Sequence, residues 1–298
     1  MVLTIIFAYG KNLKQYDVNS LYPFSMLKPM PLNLIKEHKY LDLELDQNSN
    51  LFGIFEAECI VPKCDRPQLP FKLGGRTIYP YGNWRGIYFT EEIKALLEYG
   101  YKFKLIKGYE FSQYDLFKEY VNYFYNIKMS SSGSTKFIAK MHLNQLYGIF
   151  GKKQDIIETI NIYNRDIKKY IATKIVKTII EINSDKSCIL LNNNIDNKIL
   201  KELNIELETN LISRNVEVTS NVAIAAAITS YSRIQMLKYK LDPNTLYTDT
   251  DSIFTSVPLD ESLVDQNKIG FMKDELNGCT ISEGYFLGIK QYGYYYIE

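Results

Sequence analysis

The spacing of hydrophobic positions changes along the chain, and each change marks a predicted element. From about 51 to 110, short apolar runs are punctuated by Gly and Pro, which predicts strands. One helix interrupts them in "TEEIKALLEYG", with Thr90 as its N-cap and Gly100 as its stop. This part of the chain is therefore predicted to be rich in β-strand, with a single helix.

Helical spacing dominates two further segments. Residues 135–148 are predicted to form a helix after the flexible joint "SSSGS", and 219–240 form the clearest helix of the chain, capped by Thr219 or Ser220. Between them, the tract at 155–215 is rich in Ile, Asn and Lys and approaches low complexity. Its composition predicts either a loop-bearing insertion or partial disorder.

Composition and charge narrow the classes of function. The chain has 298 residues, 46% of them hydrophobic, and a net charge of +1, so bulk charge neither indicates nor excludes a nucleic-acid partner. No apolar run is long enough to span a membrane, and the start does not resemble a signal peptide. Two histidines and four scattered cysteines disfavour a zinc site and a disulfide scaffold. The 25 tyrosines and abundant Ile, Asn and Lys indicate AT-rich codons, as in an organelle, plasmid or virus.

Acidic residues interrupt two segments that otherwise favour strands. Asp249 and Asp251 lie one residue apart in "LYTDTDSIF", so in a strand they share a face and raise each other's pKa unless a cation lies between them. They are consistent with a turn, where Asp is common, and with a Mg²⁺ site. Asp17, in "YDVNSLYP", is consistent with a surface strand position or a turn cap. Together the three carboxylates suit a two-metal site for phosphoryl transfer, provided that they converge in the fold.

One face of the helix at 135–148 carries an unusual set of polar side chains. At about 100° per residue, roughly 80° of arc holds Lys136, Lys140, Asn144 and Tyr147. The remaining circumference is expected to pack inward through Phe137, Ile138, Met141, Leu143 and Leu146. A solvated basic face would explain the lysines but neither the amide nor the ring. A triphosphate held by the lysines, with its base on the aromatic ring, explains all four, and Lys128 lies two turns upstream in register.

Three segments that occur in order resemble the polymerase motifs of family B DNA polymerases. They are "DVNSLYP", "KMHLNQLYG" and "YTDTDS". The insertion around "YPYGNWRGIYFTEEI", the tail "IKQY" and the segment "TSYSR" further resemble the protein-primed members of linear mitochondrial plasmids and related phages. The resemblance covers essentially the whole chain. It implies an α+β fold: a polymerase palm with an antiparallel sheet, helical fingers and an inserted α+β region.

The resemblance also implies a division of the chain. The palm would comprise 1–27 and 219–298, and the fingers 113–154. The insertion at 28–112 would resemble the region that grips a terminal protein, and 155–218 would be a second insertion. The implied cofactor is Mg²⁺, as two ions, with Mn²⁺ as an alternative. The implied partners are template-primer DNA, dNTPs and a terminal protein, with no membrane, and the implied location is the mitochondrion.

Each matched residue receives a role from the resemblance. Catalysis and metal binding would fall to Asp17, Asp249 and Asp251. Nucleotide binding would fall to Tyr22, Leu21, Lys128, Lys136, Lys140, Asn144, Tyr147 and Gly148. Contacts with template, primer or terminal protein would fall to Thr229, Arg233, Lys290 and Tyr292. Among these, the ring of Tyr22 would lie under the sugar and exclude a 2′-hydroxyl by its bulk.

Two residues depart from the family's pattern, and two of the family's domains are expected to be missing. Gln145 replaces a Ser, and Ser232 replaces a Gly at a close approach to DNA. A proofreading exonuclease domain and a thumb are not expected. The first hypothesis is an active Mg²⁺-dependent DNA polymerase, and the alternative is an inactive, truncated remnant of a plasmid polymerase with residual nucleic-acid binding. A metal-dependent phosphohydrolase would leave Lys140, Asn144 and Tyr147 unexplained.

Overall fold

Helices and antiparallel strands follow one another through residues 8–152, 157–192 and 220–297, the parts of the chain that the computed structural model describes. The strands are β1 (Ala8–Val18), β2 (Met30–His38), β3 (Leu43–Glu44), β4 (Gly53–Val61), β5 (Phe71–Leu73), β6 (Arg76–Ile78), β7 (Gly82–Phe89), β8 (Lys102–Tyr114), β9 (Ile157–Tyr163), β10 (Val176–Glu181), β11 (Lys186–Asn192), β12 (Thr245–Asp249), β13 (Ser252–Thr255), β14 (Met272–Asp274), β15 (Thr280–Gly288) and β16 (Gln291–Ile297). The helices are α1 (Leu21–Met26), α2 (Thr90–Leu97), α3 (Lys118–Ser130), α4 (Gly133–Phe150), α5 (Ile167–Thr173) and α6 (Val222–Leu241). Short 3-10 turns occur at Asn164–Asp166 and Glu261–Leu263.

The chain divides into a main unit and a small unit. The main unit comprises Met1–Gly151 and Asn221–Glu298, and the small unit comprises Lys152–Ser220. Both mix helices with antiparallel strands, as the predicted α+β class requires. In the described parts of the chain, no helix has both the length and the apolar character needed to cross a bilayer.

The central sheet of the main unit has the strand order β12-β13-β1-β15-β16, and β14 also pairs with β1. Every residue of β13 is buried. The neighbours Ile253 and Phe254 point to opposite faces, so each enters a different apolar cluster. Ile253 packs with Met236 and Tyr239 of α6, and Phe254 packs with aromatic residues that include Phe286. Burial on both faces explains why Ile253 and Phe254 are both apolar, without polar alternation, beside the acidic turn.

A second sheet, β2-β8-β4-β7 with β3 on β8, confirms the β-rich segment with one helix. The predicted cap of that helix is wrong. Thr90 is the first residue of α2 and follows Phe89 at the N-cap position. Its hydroxyl is fully buried and accepts a hydrogen bond from the Gly53 N–H at 3.0 Å, so it ties α2 to β4 instead. Gly100 has a φ of +81° beyond the end of α2, as its predicted role as a stop requires.

The hairpin of α3 and α4 differs from its prediction in two ways. The joint consists only of Ser131 and Ser132, because α3 continues to Ser130 and α4 already begins at Gly133. The buried stripe of α4 is also narrower than predicted, with Ala139 and Leu143 as its buried residues. Three residues expected to pack inward are exposed to solvent instead: Phe137, Ile138 and Met141. The reason is that, among the described elements, α4 makes its main contacts along the side toward α1, α3 and α6.

The longest helix, α6, confirms the prediction for 219–240 but has a different cap. The side chain of Asn221 accepts a hydrogen bond from the Ile224 N–H at 3.1 Å, so Asn221 is the N-cap. Ser220 precedes this cap, and Thr219 lies outside the described residues. The helix contacts α1, α2 and α4 and thereby joins the two sheets to the hairpin.

The small unit contains regular structure where the sequence predicts loops or partial disorder. Its strands pair in the order β10-β11-β9, and α5 precedes β10. Ile189 and Leu191 of β11 are fully buried, which gives this sheet a packed face despite its biased composition. The rest of the predicted insertion, residues 193–218, lies outside the described residues.

Candidate active site

Asp17 and Asp251 converge because β1 pairs with the hairpin of β12 and β13. In the antiparallel register Asp17 lies opposite Ser252, the residue after Asp251. The N–H of Val18 donates a hydrogen bond to the carbonyl oxygen of Asp251 at 2.8 Å. Two acids that are more than two hundred residues apart in sequence are thus held together by backbone pairing. The strand register thus brings these two residues together, as the prediction of convergence requires.

The turn between β12 and β13 holds Asp249 in a different environment. Thr250, between the two acids, has a φ of +56°, a left-handed conformation that is uncommon for a β-branched residue. Its hydroxyl donates to Asp249 Oδ1 at 3.1 Å, and Lys290 Nζ donates to Asp249 Oδ2 at 2.8 Å. Both carboxylate oxygens of Asp249 are therefore engaged, and the residue is 8% exposed.

The electrostatics of the paired acids favour a bound cation. The pKa of Asp17 is raised to about 7, mainly by burial and then by the charge of Asp251, while Lys273 and Lys140 oppose the shift. Burial likewise raises the pKa of Asp251, and the charge of Asp249 adds to the effect. Two half-buried carboxylates that resist ionisation in each other's presence gain most from a divalent ion between them.

The donor set fits a hard divalent cation such as Mg²⁺, since Asp17 and Asp251 supply carboxylate oxygens from adjoining backbone segments. Across residues 8–152, 157–192 and 220–297, no three His, Cys, Asp or Glu side chains are grouped closely enough to hold an ion together. Asp249 belongs to the site, but its oxygens contact Thr250 and Lys290. A third carboxylate ligand would therefore require Asp249 to exchange partners.

Lysines from the helical hairpin face the acids. Lys128 lies on α3 and not, as predicted, in register on the helix of Lys136, yet its ammonium group reaches Ser20 Oγ at 2.9 Å. Burial lowers the pKa of Lys128, and the positive charges of Lys140 and Lys136 lower it further. Because Lys140 also acts on Asp17, the hairpin's cations and the strand's acids share one electrostatic environment. A polyanion bridging the two groups would relieve both kinds of repulsion.

Two aromatic residues of the motifs meet beside the acids. The rings of Tyr22 and Tyr147 stack with centroids 4.2 Å apart and an interplanar angle of 14°. Burial raises the pKa of Tyr22, as do Tyr147 and Asp251. Leu21, by contrast, is 2% exposed and belongs to the core beneath the site. Gly148 has open space where a side chain would lie, so no close approach explains this glycine.

The exposed polar residues of α4 complete this face. Lys136, Lys140 and Asn144 are exposed, and Tyr147 is half-buried on the adjoining turn. The hairpin packs against α1 through residues around Leu143, which orients the polar stripe. Lys136, Lys140, Asn144 and Tyr147 thus share one side of α4, a helix with little buried surface, and the charge of Lys140 reaches Asp17.

A cleft of about 700 Å³ extends from Tyr22 and Thr250 along α6 to the second sheet. Thr229 and Arg233 line it, and the guanidinium of Arg233 forms a two-point ion pair with Glu92 of α2, with Ser230 donating to the same carboxylate. Glu92 was missed in the sequence because an acid in a first helical turn is ordinary. Its 3% exposure and its three hydrogen bonds are long-range properties.

Ser232, expected to affect a close approach to DNA, has its hydroxyl engaged elsewhere. Its Oγ lies 2.8 Å from Ser25 Oγ of α1 and donates to the Ile228 carbonyl at 2.9 Å. The residue is 5% exposed. The hydroxyl therefore joins α6 to α1, which is why a residue larger than glycine is accommodated here.

The two predicted residues of the tail, Lys290 and Tyr292, lie in different surroundings. Lys290 lies in the turn between β15 and β16 and contacts Asp249, whereas the ring of Tyr292 packs 5.3 Å from the ring of Tyr247. Two further charged residues, Lys273 and Glu275, affect the pKa of Asp17 from β14 and the residue after it. These two residues belong to none of the motifs, and the pairing of β14 with β1 is what identifies them as neighbours of Asp17.

The fold is that of a DNA polymerase. A solved structure of Phi29 DNA polymerase with primer-template DNA and incoming nucleotide superposes with a TM-score of 0.67 at 19% identity, covering 97% of this chain and 46% of that one. The chain belongs to the family of DNA polymerases of type B, organellar and viral, whose pattern matches residues 2–245. The resemblance found in the motifs is thereby confirmed.

Two fungal relatives match nearly the whole chain, and a phage relative matches about half of it. A probable DNA polymerase of Podospora anserina is 37% identical over 299 residues, which is 95% of this chain and 24% of the relative. One from Neurospora intermedia is 34% identical, over 96% of this chain and 29% of the relative. A DNA polymerase of Bacillus phage Nf is 28% identical over 155 residues, 47% of this chain and 27% of the relative. The chain thus spans between 24% and 29% of the length of these relatives.

Proposed function

We propose that this chain carries the nucleotidyl-transfer site of a DNA-directed DNA polymerase, which adds dNTPs to a hydroxyl group opposite a DNA template. The observation that carries the proposal is the convergence of Asp17 on β1 and Asp251 in the turn between β12 and β13, in one electrostatic environment with Lys140. A turn or a surface strand would not require these charges to meet. Phosphoryl transfer requires acids for metal ions and cations for the phosphates.

The acids would bind the metal ions, and the lysines would bind the nucleotide. Two divalent ions, Mg²⁺ or alternatively Mn²⁺, would be held by Asp17 and Asp251, with Asp249 assisting, and when bound would neutralise charge on the attacking and leaving oxygens. Lys128, Lys136 and Lys140 would hold the triphosphate so that the hydroxyl oxygen attacks the α-phosphorus in line. The new P–O bond forms as the bond to pyrophosphate breaks. Positioning and charge neutralisation account for the catalysis.

The tyrosine pair would select the sugar and support the base. The stacked rings of Tyr22 and Tyr147 present a flat aromatic surface beside the acids. A ring of Tyr22 under the sugar excludes a 2′-hydroxyl by bulk, while Tyr147 and the exposed amide of Asn144 border the base. Binding of a nucleotide would therefore rearrange the Tyr22–Tyr147 stack.

The DNA would follow the cleft beside α6. Thr229 and Arg233 line that cleft, and contact with the template through them is consistent with its 700 Å³ volume. Lys290 and Tyr292 lie on the opposite side of the third motif, where contact with the primer strand or with a terminal protein is proposed. Arg233 already pairs with Glu92, so its contact with DNA would use its remaining N–H groups.

Priming by a terminal protein and a mitochondrial location complete the proposal. The insertion sequence and the "IKQY" tail support protein priming, in which a protein hydroxyl replaces the primer hydroxyl at initiation. The organellar and viral description of the family, together with the residue bias of the chain, supports replication of a linear mitochondrial plasmid.

Primer extension by the purified chain, with dNTPs and Mg²⁺, tests the proposed function. Asp251→Ala is expected to lower the rate by about 10³-fold or more, because a preorganised charge-stabilising group is lost. The matched control is Asp42→Ala, a surface acid just before β3 that pairs with Lys104. Equal extension by Asp251→Ala, or binding of primed DNA without extension by the wild type, would contradict the proposal. The second outcome would leave nucleic-acid binding alone as the function.

A further inference from the structure

Lys290 is fixed at its backbone beside the acidic turn. Its φ is +57°, and its N–H donates a hydrogen bond to the Tyr247 hydroxyl at 3.0 Å. The same hydroxyl donates to the Gly288 carbonyl at 3.3 Å. The turn between β15 and β16 is thereby attached to β12 two residues before Asp249. The position from which the lysine side chain extends is thus set by the fold.

The ion pair of Lys290 and Asp249 is unequal in burial. The carboxylate side chain is 10% exposed, whereas the lysine side chain is 66% exposed. The buried acid adjoins Asp251, whose charge repels it, so Asp249 needs a counter-charge more than a surface acid does. The exposed ammonium loses little solvation by pairing and can return to water, because lysine has a long flexible stem. Asp249 is therefore fixed in place, whereas Lys290 can leave the ion pair.

We propose that Lys290 is a resident counter-ion that occupies Asp249 until a divalent ion binds, and that it sets the affinity of the site for that ion. The inference rests on the proposed function for the identity of the site but assigns Lys290 a role besides contact with primer or terminal protein. Filling the site would break the bond from Lys290 Nζ to Asp249 Oδ2 and form a bond from that oxygen to the metal. No proton is transferred, and the ammonium group becomes solvated.

The proposal explains why Asp249 does not group with the other acids. Both of its oxygens have partners, and only one of those partners is charged. Thr250 is covalently adjacent and can keep its hydrogen bond while the second oxygen changes partner. The lysine thus balances charge when no metal is bound, and it competes with the metal when one arrives.

Binding of Mn²⁺ alone, followed by electron paramagnetic resonance without DNA or nucleotide, tests this role. Lys290→Met is expected to tighten Mn²⁺ binding by about three- to tenfold, because one competing unit charge at an exposed position is removed. Lys290→Arg keeps the charge and is expected to stay within about twofold of the wild type. Lys11→Met removes the same charge from β1, where Lys11 pairs with Glu283, and serves as the matched control.

The double variant Asp249→Asn with Lys290→Met separates competition at one carboxylate from a general charge effect. In the Asp249→Asn background, loss of Lys290 is expected to change Mn²⁺ affinity by less than about twofold, since the pair is already broken. Unchanged or weaker binding by Lys290→Met, or equal tightening in both backgrounds, would overturn the proposal. Lys290→Gln provides a second neutral variant if circular dichroism shows that the methionine variant does not fold. Because no substrate is present, the result is independent of whether the chain extends a primer.

Discussion

The strands that carry the acids and the hairpin that carries the lysines differ in how far burial fixes their side chains. All four residues of β13 are buried, and Asp249 and Ser252 at its turn are 8% and 9% exposed. In α4, Ala139 and Leu143 are the buried residues of an 18-residue helix. Strand register holds the acids, whereas a narrow helical contact holds the lysines.

Because of this difference, the ionised acids lower the stability of the fold, whereas the exposed lysines do not. Burial first, and the charge of Asp251 second, raise the pKa of Asp17 to about 7, so the fold is less stable when this acid is ionised. Lys136 and Lys140 remain exposed to water and carry no comparable penalty. Substitutions of the acids should therefore change catalysis and stability in opposite directions, and substitutions of the lysines should change binding alone.

Asp17→Asn should have the largest effect. We expect primer extension to fall by about 10³-fold or more. The free energy of unfolding without metal should rise by about 1–3 kcal/mol at pH 8. The folded-state pKa of Asp17, about 7, lies above its ordinary value of 3.8. The contribution of protonated Asp17 to stability is therefore fully present below about pH 4 and is lost as the pH rises through 7.

Urea unfolding at pH 4 and at pH 8, in a chelator, measures this contrast. At pH 4 the wild type and Asp17→Asn should have similar stability, because Asp17 is protonated in the fold. Asp42→Asn is the control, since that carboxylate lies at the surface. A variant less stable than the wild type at pH 8 would mean that the fold stabilises Asp17 in its charged form, which would contradict this prediction.

Lys140→Ala should have an intermediate effect, confined to binding. We expect the KM for dNTP to rise by about 10- to 100-fold, because a charge-assisted contact with phosphate is lost. The free energy of unfolding should change by less than about 0.5 kcal/mol, since the side chain is exposed. Steady-state extension at varied dNTP measures the first quantity and urea unfolding the second. Lys118→Ala, an exposed lysine of α3 paired with Asp115, is the control, and an equal rise in its KM would exclude a specific contact.

The local sequence pattern was sufficient to predict several helices and strands and much of the candidate site. The hairpin of "LYTDTDSIF" and the helix of Lys140 follow from spacing and turn residues within a dozen positions. Spacing also placed Lys136, Lys140, Asn144 and Tyr147 on one side of α4. It could not show which apolar side chains that helix buries, because the answer depends on how closely α1, α3 and α6 approach it.

The partners of the charged residues could not be predicted in the same way. Lys290 pairs with Asp249 across 41 residues, and Arg233 pairs with Glu92 across 141. Each residue has an ordinary local explanation, and only the pairing of strands and the packing of α2 on α6 bring the partners together. The motifs identified which residues matter, whereas long-range packing determines what each one contacts.

Ser232→Gly should have the smallest effect on primer extension, and it tests whether α6 tolerates the family's usual residue at this position. The change removes the contact with Ser25 and places a glycine inside α6, so we expect the free energy of unfolding to fall by about 1–3 kcal/mol. Ser232→Ala removes only the hydroxyl and should cost less, about 0.5–1.5 kcal/mol, as should Ser25→Ala. Urea unfolding of the three variants separates the hydrogen bond from the helix effect.

Primer extension should stay within about twofold of the wild type, because the lost hydroxyl faces α1 and contacts neither acids nor lysines. A large loss of extension with unchanged stability would instead assign Ser232 to the DNA contact that its position in the motif suggests.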